Sequence, residues 1–227
     1  YLVLMIKLKN ILKSFLKYSS YDFSICKIYQ ILELKKLNLK DKTVEFGSNN
    51  YKESLIKFNK KNSSNIYFSN IFKKKSKNYL SLNLEKKNSV KKKFNNILAF
   101  NVLEHIHDDS NALDEFKKIL KKKGRVYIST PFLYRYHAAP KDYKRYTLDY
   151  FDKILKKKKF KVKKKLSLGS GPFLASYSMM FDYIKKIPFL RYPLVLICYL
   201  FDNFLTIFHK HGVNNLYPIC IVIVAEK

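Results

Sequence analysis

The sequence predicts a fold of the α/β class, and three observations support this prediction. From residue 41 onwards, short apolar runs bounded by Gly, Asn, Ser or Pro alternate with longer stretches of helical periodicity, as expected where strands alternate with helices. The chain has 227 residues, of which 47% are hydrophobic, so it can bury a sizeable core. Neither an internal repeat nor a linker rich in Pro, Gly or Ser interrupts it, which favours one continuous domain.

The first 40 residues are predicted to form helices that pack on the core, because apolar side chains recur there at intervals of three and four positions. This pattern includes Leu8, Ile11, Leu12, Phe15, Leu16, Ile28 and Ile31. Residues 41–227 then form the α/β domain. Its seven candidate strands are the short apolar runs at 43–46, 66–69, 79–82, 97–100, 125–129, 160–168 and 218–225.

Helical patterns occupy the longer intervals between the fourth and sixth strands. One helix is expected from about residue 110 to 122, with Gly124 as a left-handed stop after its end. Thr147 is a good N-cap for the next helix, which is expected to continue through Leu155.

The last interval, residues 173–211, is predicted to be an apolar helical insertion interrupted at Pro188 and Pro193. Within it, the segment 192–208 begins with uncharged residues and meets its first charge at Asp202. A helix that crosses a bilayer needs about 20 apolar residues. We therefore expect this segment to be too short to span a membrane but able to make peripheral contact with a membrane surface.

The composition argues against two other classes of protein. The net charge of +29 is large enough for nucleic-acid binding, but all but four of the 46 basic residues are lysines scattered along the chain. Base readout and bidentate phosphate contacts favour arginine, so we interpret the charge as solvated surface and expect no nucleic-acid partner. The three cysteines are far apart and form no CxxC pair, which predicts no disulfide framework and fits a reducing, cytoplasmic setting.

Polar residues gather where the first five predicted strands end. Open parallel sheets bind ligands outside the carboxyl ends of their strands, so five such turns in order predict a binding site at that edge. The candidate binding residues in these turns are Glu45, Gly47, Ser48, Asn70, Asn83, Leu84, Asn101, Val102 and His105.

With these motifs, the sequence resembles the class I S-adenosylmethionine-dependent methyltransferases, especially the type 11 group. The resemblance covers about residues 41–168 and 218–225, and it is strongest in Phe-Asn-Val-Leu-Glu-His-Ile at 100–106 and in the segment 120–131. It extends through the loop 131–147. It implies a Rossmann-like, seven-stranded, mostly parallel sheet with helices on both faces and an antiparallel last strand. S-adenosylmethionine would lie across the first four strand ends, and the methyl group would pass to a small-molecule or glycan-type acceptor.

Three of the candidate binding residues depart from what the resemblance implies. Family members usually carry two or three glycines in the first turn, whereas this chain has Gly47 alone. Asn70 stands where an acidic residue usually grips both ribose hydroxyls, and Asn83 stands where an aspartate often meets the adenine amine. An asparagine forgoes the stronger charge-assisted hydrogen bond. A relative with weakened binding, or a non-catalytic binding protein on the same fold, is therefore an alternative, and a membrane-surface protein is another.

Residues 101–109 admit further interpretations. Asn101 and Glu104 have the spacing of a capping box, so part of this motif could cap a helix while also contacting the cofactor. His105, His107, Asp108 and Asp109 could be drawn as a metal cluster, but they share one short turn without a distant partner. The sequence therefore predicts an exposed polar turn here and no metal site.

The loop after the fifth strand carries the densest polar constellation, His137, Asp142, Tyr143 and Arg145. His137, Asp142 and Tyr143 are the candidate catalytic residues, with His137 as the base, because histidine exchanges protons near neutral pH. The alternative is an ion pair between Asp142 and Arg145 that orders the loop, with Tyr143 and Tyr146 packed in the core.

Overall fold

The structure is a computed structural model that describes residues 13–15, 17–18, 23–39, 41–61, 65–71, 78–208 and 213–227. Most of the predicted first helix, including Leu8, Ile11, Leu12 and Leu16, therefore lies outside the described residues, as do the last positions of the predicted insertion, 209–211.

The described residues form a seven-stranded sheet, and each predicted strand is confirmed. The sheet order is β3-β2-β1-β4-β5-β7-β6. From β3 to β5, each strand runs parallel to its neighbour in this order. Every residue of β1 is buried, as expected for a central parallel strand covered on both faces. The strands are β1 (Thr43–Phe46), β2 (Ile66–Asn70), β3 (Tyr79–Ser81), β4 (Phe94–Phe100), β5 (Leu120–Pro131), β6 (Lys161–Leu168) and β7 (Cys220–Glu226).

The last strand, β7, runs antiparallel between β5 and β6, as expected. The backbone N–H of Lys227 donates to the carbonyl of Gly124 at 3.0 Å, and that of Phe132 donates to the carbonyl of Ile219 at 2.9 Å. Residue numbers therefore increase along β5 in the direction in which they decrease along β7.

The helices largely follow the predicted pattern. They are α1 (Ile25–Leu34), α2 (Asp109–Ile119), α3 (Leu148–Lys157), α4 (Pro172–Met179), α5 (Phe181–Ile184), α6 (Pro188–Leu205) and α7 (Val213–Leu216). Single 3₁₀ turns occur at Ile56–Phe58, Leu103–His105 and Thr206–Phe208. The Thr147 hydroxyl accepts a hydrogen bond from the N–H of Tyr150 at 3.1 Å, which confirms the predicted N-cap of α3.

Two predicted helix ends are wrong. Helix α2 stops at Ile119 because Leu120 already pairs with Phe94 in the sheet, so Gly124 lies inside β5 and Lys123 takes the left-handed conformation instead, with φ 60°. The interruption expected at Pro188 is confirmed, because helix α6 begins there, but the one expected at Pro193 is wrong, because the helix continues through this residue and forgoes one hydrogen bond.

The chain divides into two compact units. The larger, here called the sheet unit, comprises residues 31–131, 136–166 and 221–227, and the smaller, the helical unit, comprises residues 1–30, 132–135 and 167–220. In the sheet unit, side chains from β1, β4 and β5 pack with those from α2 and α3 into one continuous apolar core; examples are Val44, Ile97, Phe116, Val126 and Phe151.

In the helical unit, a buried aspartate ties α6 to the start of α4. The Asp202 carboxylate accepts hydrogen bonds from the backbone N–H groups of Phe173 and Leu174 at 2.8 and 3.0 Å, and from the Ser170 hydroxyl at 2.5 Å. It thereby satisfies N–H groups in the first turn of α4 that have no partner within that helix. The charge that interrupts the apolar segment is thus a structural cap.

The opposite face of α6 is apolar and exposed. Among the described residues, the segment Phe189–Phe208 is the one helix long and apolar enough to cross a membrane, with 20 residues, a mean hydropathy of 1.3 and 28% of it buried. By length and composition the expectation that this region is too short to span is therefore wrong, although core helices of soluble proteins also meet this criterion.

Candidate functional site

An open cavity of about 730 Å³ lies in the sheet unit, at the edge where the parallel strands end. Cavities of this size hold small molecules and cofactors. Residues after β1, β2, β3 and β4 form most of its wall, and the loop 139–143 completes it. The lining residues are Phe46, Gly47, Ser69, Asn70, Ile71, Leu82, Asn83, Leu84, Glu85, Asn101, Val102, His105, Ile106, Ala139, Pro140, Lys141 and Tyr143.

Gly47 gives the cavity a wall of bare backbone after β1. Its φ of 85° lies in the left-handed region that favours glycine, and its N–H donates to the carbonyl of Ser69 at 2.8 Å. A Cβ at this position would lie 3.1 Å from Val102 Cγ2. Any side chain here would strain the turn and crowd the cavity.

Glu45 and Ser48 flank this turn but are not among the lining residues. The buried Glu45 carboxylate accepts a hydrogen bond from the Ser48 hydroxyl at 2.9 Å and from the N–H groups of Leu55 and Ile56 at 2.8 and 3.0 Å. These bonds brace the turn from within. Their predicted contact with a cofactor stays a prediction.

Asn70 and Asn83 both line the cavity, and both side chains make local hydrogen bonds. Asn70 Oδ1 accepts from the N–H of Ile71 at 2.7 Å, while its Nδ2 donates to Asn49 Oδ1 at 3.3 Å. Asn83 Oδ1 accepts from the N–H of Glu85 at 2.9 Å. Each amide oxygen still has a second lone pair for a ligand hydroxyl or amine.

The turn after β4 carries three of the predicted site residues, and its geometry corrects the capping-box interpretation. Asn101 has a φ of 55° and Val102, without a side-chain cap, precedes the 3₁₀ turn. The N-cap of α2 is instead Asp108, which accepts from the N–H of Asn111 at 2.9 Å. Asn101, Val102 and His105 face the cavity, and the Glu104 side chain points into the protein.

Glu104 is fully buried, and neither carboxylate oxygen accepts a hydrogen bond of good geometry from the described residues. Burial raises the pKa of this carboxyl to about 8, against smaller lowering effects of its own backbone amide and of Arg145. His105 lies beside it, with Nε2 at 3.9 Å from Glu104 Oε1 and Nδ1 at 2.6 Å from the carbonyl oxygen of Lys141. The His137 ring meets the His105 ring edge to face, with centroids 4.9 Å apart.

The loop constellation separates into two layers. Asp142 forms a two-pronged ion pair with Arg145, at 2.5 and 2.7 Å, and accepts from the His137 N–H at 2.9 Å. The Arg145 hydrogen bonds hold the pKa of the Asp142 carboxyl far below its usual range. His137 and Asp142 therefore lie behind the cavity wall, whereas Tyr143 is 41% exposed and lines the cavity.

The alternative interpretation of this loop is therefore partly right. The ordering ion pair between Asp142 and Arg145 exists, and Tyr146 is buried, with its hydroxyl donating to the Leu103 carbonyl at 3.0 Å. Tyr143 does not pack in the core.

The predicted polar turn at 107–109 does not converge on one centre. His107 and Asp108 are exposed as expected, and Asp108 caps α2. The expectation is wrong for Asp109, which is buried, accepts from the Tyr150 hydroxyl at 3.0 Å and lies 3.1 Å from Lys144 Nζ.

Eight of the twelve predicted site residues line the cavity, namely Gly47, Asn70, Asn83, Leu84, Asn101, Val102, His105 and Tyr143. Sequence reasoning missed the apolar members of the wall, Phe46, Ile71, Leu82 and Ile106, and the loop segment 139–141. The apolar members stand next to predicted site residues in the chain, so their position in the sequence could have identified them as lining residues. Lys141 likewise adjoins the predicted Asp142, but Ala139 and Pro140 carried no such signal, because only the folded loop brings them to the strand ends.

Comparison with known families and structures agrees with this architecture. A family model described as a methyltransferase domain matches residues 8–170. No curated protein matches the sequence at a significant level.

Solved structures share the fold at low sequence identity. An S-adenosylmethionine-dependent methyltransferase from Mesorhizobium loti is 9% identical, with a TM-score of 0.54 over 89% of this chain and 98% of that chain. The 1,6-didemethyltoxoflavin-N1-methyltransferase of Burkholderia thailandensis, solved with 1,6-didemethyltoxoflavin and S-adenosylhomocysteine, is 10% identical, with a TM-score of 0.56 over 98% and 88%. Coclaurine N-methyltransferase, solved with N-methylheliamine and S-adenosylhomocysteine, is 12% identical, with a TM-score of 0.55 over 88% and 72%. These similarities confirm the predicted fold class.

Proposed function

The chain belongs to the methyltransferase domain family, and we propose that it transfers a methyl group from S-adenosylmethionine to a small-molecule or glycan-type acceptor. The observation that carries this proposal is the cavity at the ends of β1 to β4, where the backbone at Gly47 is open to a ligand. The solved relatives named above were crystallised with S-adenosylhomocysteine in two cases. The cofactor supplies an activated methyl group on a sulfonium centre.

The residues present fit such a cofactor. Gly47 leaves room for close approach to the backbone, and the amides of Asn70 and Asn83 offer acceptors to ribose hydroxyls and to an adenine amine. Phe46, Leu82, Leu84 and Ile106 add apolar surface for the base. Methyl transfer depends mainly on holding donor and acceptor in line, so this wall contributes by positioning.

The acceptor side of the cavity is formed by His105, Lys141 and Tyr143. We propose that Tyr143 contacts the acceptor directly, because it alone of the three predicted catalytic residues lines the cavity. His137 then acts as a positioning residue through its ring contact with His105, and Asp142 fixes the loop. The polar character of this side supports a hydroxyl- or amine-bearing acceptor.

Photolabelling tests cofactor placement. Ultraviolet irradiation with S-adenosylmethionine tritiated in its methyl group should label peptides that contain residues 46–51, 69–71, 82–85 or 101–106, and S-adenosylhomocysteine but not a nicotinamide dinucleotide should suppress the label. Label confined to other peptides, or no competition by S-adenosylhomocysteine, would contradict the placement. Incubation of the same donor with pools of small hydroxyl, amine and glycan acceptors then identifies the acceptor class.

A second candidate function is an interaction surface on the helical unit. One face of α6 and of the 3₁₀ turn after it exposes a continuous set of large apolar side chains. At 100° per residue they fall within one third of the helix circumference. They are Phe189, Leu190, Ile197, Leu200, Phe201, Phe204, Ile207 and Phe208. Exposed patches of this kind mark interaction sites, and the net charge of +29 matches an anionic surface. We propose peripheral contact with an anionic membrane through 192–208, in a cytoplasmic protein.

Co-sedimentation with phosphatidylglycerol vesicles tests this contact, with phosphatidylcholine vesicles for comparison. Phe204→Glu should reduce the bound fraction several-fold, whereas Tyr136→Glu, at an exposed aromatic residue of the sheet unit, should leave it unchanged. Equal binding by all three proteins would contradict the proposal, and a dimer that Phe204→Glu dissociates would show that a second copy covers this face.

A further inference from the structure

Glu104, His105 and His137 form a cluster of metal-ligand atoms beside the cavity. Each side chain offers one ligand atom, and these atoms all lie within 4.8 Å of one another. The three residues come from two separate segments, the 3₁₀ turn after β4 and the loop after β5. We propose that these side chains bind a divalent transition-metal ion.

The burial of Glu104 is the first argument. A carboxylate removed from water is strongly unfavourable unless a cation or hydrogen bonds replace the solvent. Neither oxygen of Glu104 has a hydrogen bond of good geometry to the described residues, and the nearby Arg145 directs its guanidinium to Asp142. A metal ion bound to these oxygens would give them the partner that they lack among the described residues.

The orientation of the imidazoles is the second argument. His105 Nδ1 lies 2.6 Å from the Lys141 carbonyl oxygen, so this nitrogen carries the proton and the Nε2 lone pair is left on the side of Glu104. His137 Nδ1 lies 3.2 Å from Asp142 Oδ2. Metal-binding histidines are commonly held as His105 is, by an oxygen acceptor on one ring nitrogen.

The donor set indicates the kind of ion. Two imidazoles and one carboxylate suit zinc, cobalt or iron, whereas magnesium and calcium prefer oxygen ligands. In a zinc site with bonds of about 2.1 Å, the ligand atoms lie roughly 3.4 Å apart. The separation of 3.9 Å between Glu104 and His105 needs little side-chain rotation to reach this value.

The ion would add a positive charge next to the cavity wall, because His105 belongs to both the cluster and the wall. This step rests on the proposed function: the charge would polarise an oxygen of the acceptor and make the proton on that oxygen easier to remove. The cofactor contacts proposed at Gly47, Asn70 and Asn83 do not involve the ion.

Titration of chelator-treated protein with Co²⁺ tests the site, because the visible absorption of Co²⁺ reports its ligands. Wild type should bind one equivalent without a thiolate charge-transfer band, and Zn²⁺ should displace it. Glu104→Gln and His137→Ala should each weaken binding at least tenfold. His107→Ala is the matched control, because this exposed histidine lies outside the cluster, and it should bind like wild type.

Two further measurements keep the test decisive. Thermal melting should show that Glu104→Gln folds, since the change is nearly isosteric and removes a buried ionisable group, and that Zn²⁺ raises the Tm of wild type but not of this variant. S-adenosylhomocysteine binding should be the same in both. Wild type that binds no Co²⁺, binding that survives in Glu104→Gln, or a thiolate band would overturn the metal site. Loss of S-adenosylhomocysteine binding in wild type would count against the proposed function alone.

Discussion

The two sides of the cavity differ in how they use polar groups. On the side formed by Gly47, Asn70 and Asn83, here called the glycine side, these three residues are uncharged, although Glu85 also lines the wall, and the two amides bond to nearby backbone N–H groups. The opposite side, here called the histidine side, combines a buried carboxylate, two imidazoles and an ion pair behind the wall. The glycine side therefore acts through shape and open backbone, and the histidine side through charge. A substitution on the glycine side should therefore change cofactor affinity, and a substitution on the histidine side should change the stability of the loop.

Gly47→Val should have the largest effect, the loss of detectable S-adenosylhomocysteine binding. A β-branched residue at a φ of 85° is strained by about 1–3 kcal/mol, and its Cβ would lie 3.1 Å from Val102 Cγ2. Equilibrium dialysis measures the affinity, and circular dichroism verifies the fold. Unchanged affinity in a folded variant would remove the glycine side from the site.

Asp142→Ala should lower the free energy of unfolding by about 1.5–3 kcal/mol, the range for hydrogen bonds to charged groups. The change removes the two-pronged contact with Arg145 and the bond from the His137 N–H. Urea unfolding measures this change in the free energy of unfolding. Asp152→Ala is the control, because its pairs with the exposed Lys156 and Lys165 should contribute little to the free energy of unfolding. Equal stability of the two variants would mean that the histidine side is not held by its ion pair.

Asn70→Asp should tighten S-adenosylhomocysteine binding by about 1–2 kcal/mol, because a carboxylate accepts stronger hydrogen bonds from ribose hydroxyls than an amide does. Calorimetric titration at pH 7 measures the change. Asn70→Ala provides the comparison and should bind more weakly than the parent. If Asn70→Asp also weakens binding, the Asn70 side chain serves the contact with Asn49 rather than the ligand.

Thr147→Ala should have the smallest effect, a loss of about 1 kcal/mol of stability through the missing N-cap of α3. Thr147 belongs to neither side of the cavity, so S-adenosylhomocysteine affinity should not change. Chemical unfolding and ligand binding measured on one preparation give both quantities. A change in affinity would show that α3 controls the loop 139–143.

The sequence was sufficient to predict the sheet. Each strand is a short apolar run with a turn signal at its end, and β1 was predicted to the residue at Thr43–Phe46. Gly47 was identifiable because its place after a strand calls for left-handed backbone. Local signals did not predict the end of α2, because sheet pairing determines it. Leu120 pairs with Phe94, so α2 ends early and Gly124 lies in a strand.

The histidine side could be predicted only in part. His105 and His137 were each noted, but they are 32 positions apart and no spacing rule brings their rings within 4.9 Å. Glu104 had the spacing of a cap, and only the folded turn shows its carboxylate buried without a good hydrogen bond. Pair contacts of this kind depend on the path of the loop, which residue patterns do not encode.

Calorimetric titration of the wild-type protein with S-adenosylhomocysteine, beside an identical titration with a nicotinamide dinucleotide, tests whether the cavity is a site for the methyl donor. This assignment predicts one binding site for S-adenosylhomocysteine at up to millimolar ligand and no heat of binding for the dinucleotide. Absence of heat with S-adenosylhomocysteine at millimolar concentration, or equal binding of the dinucleotide, would contradict it.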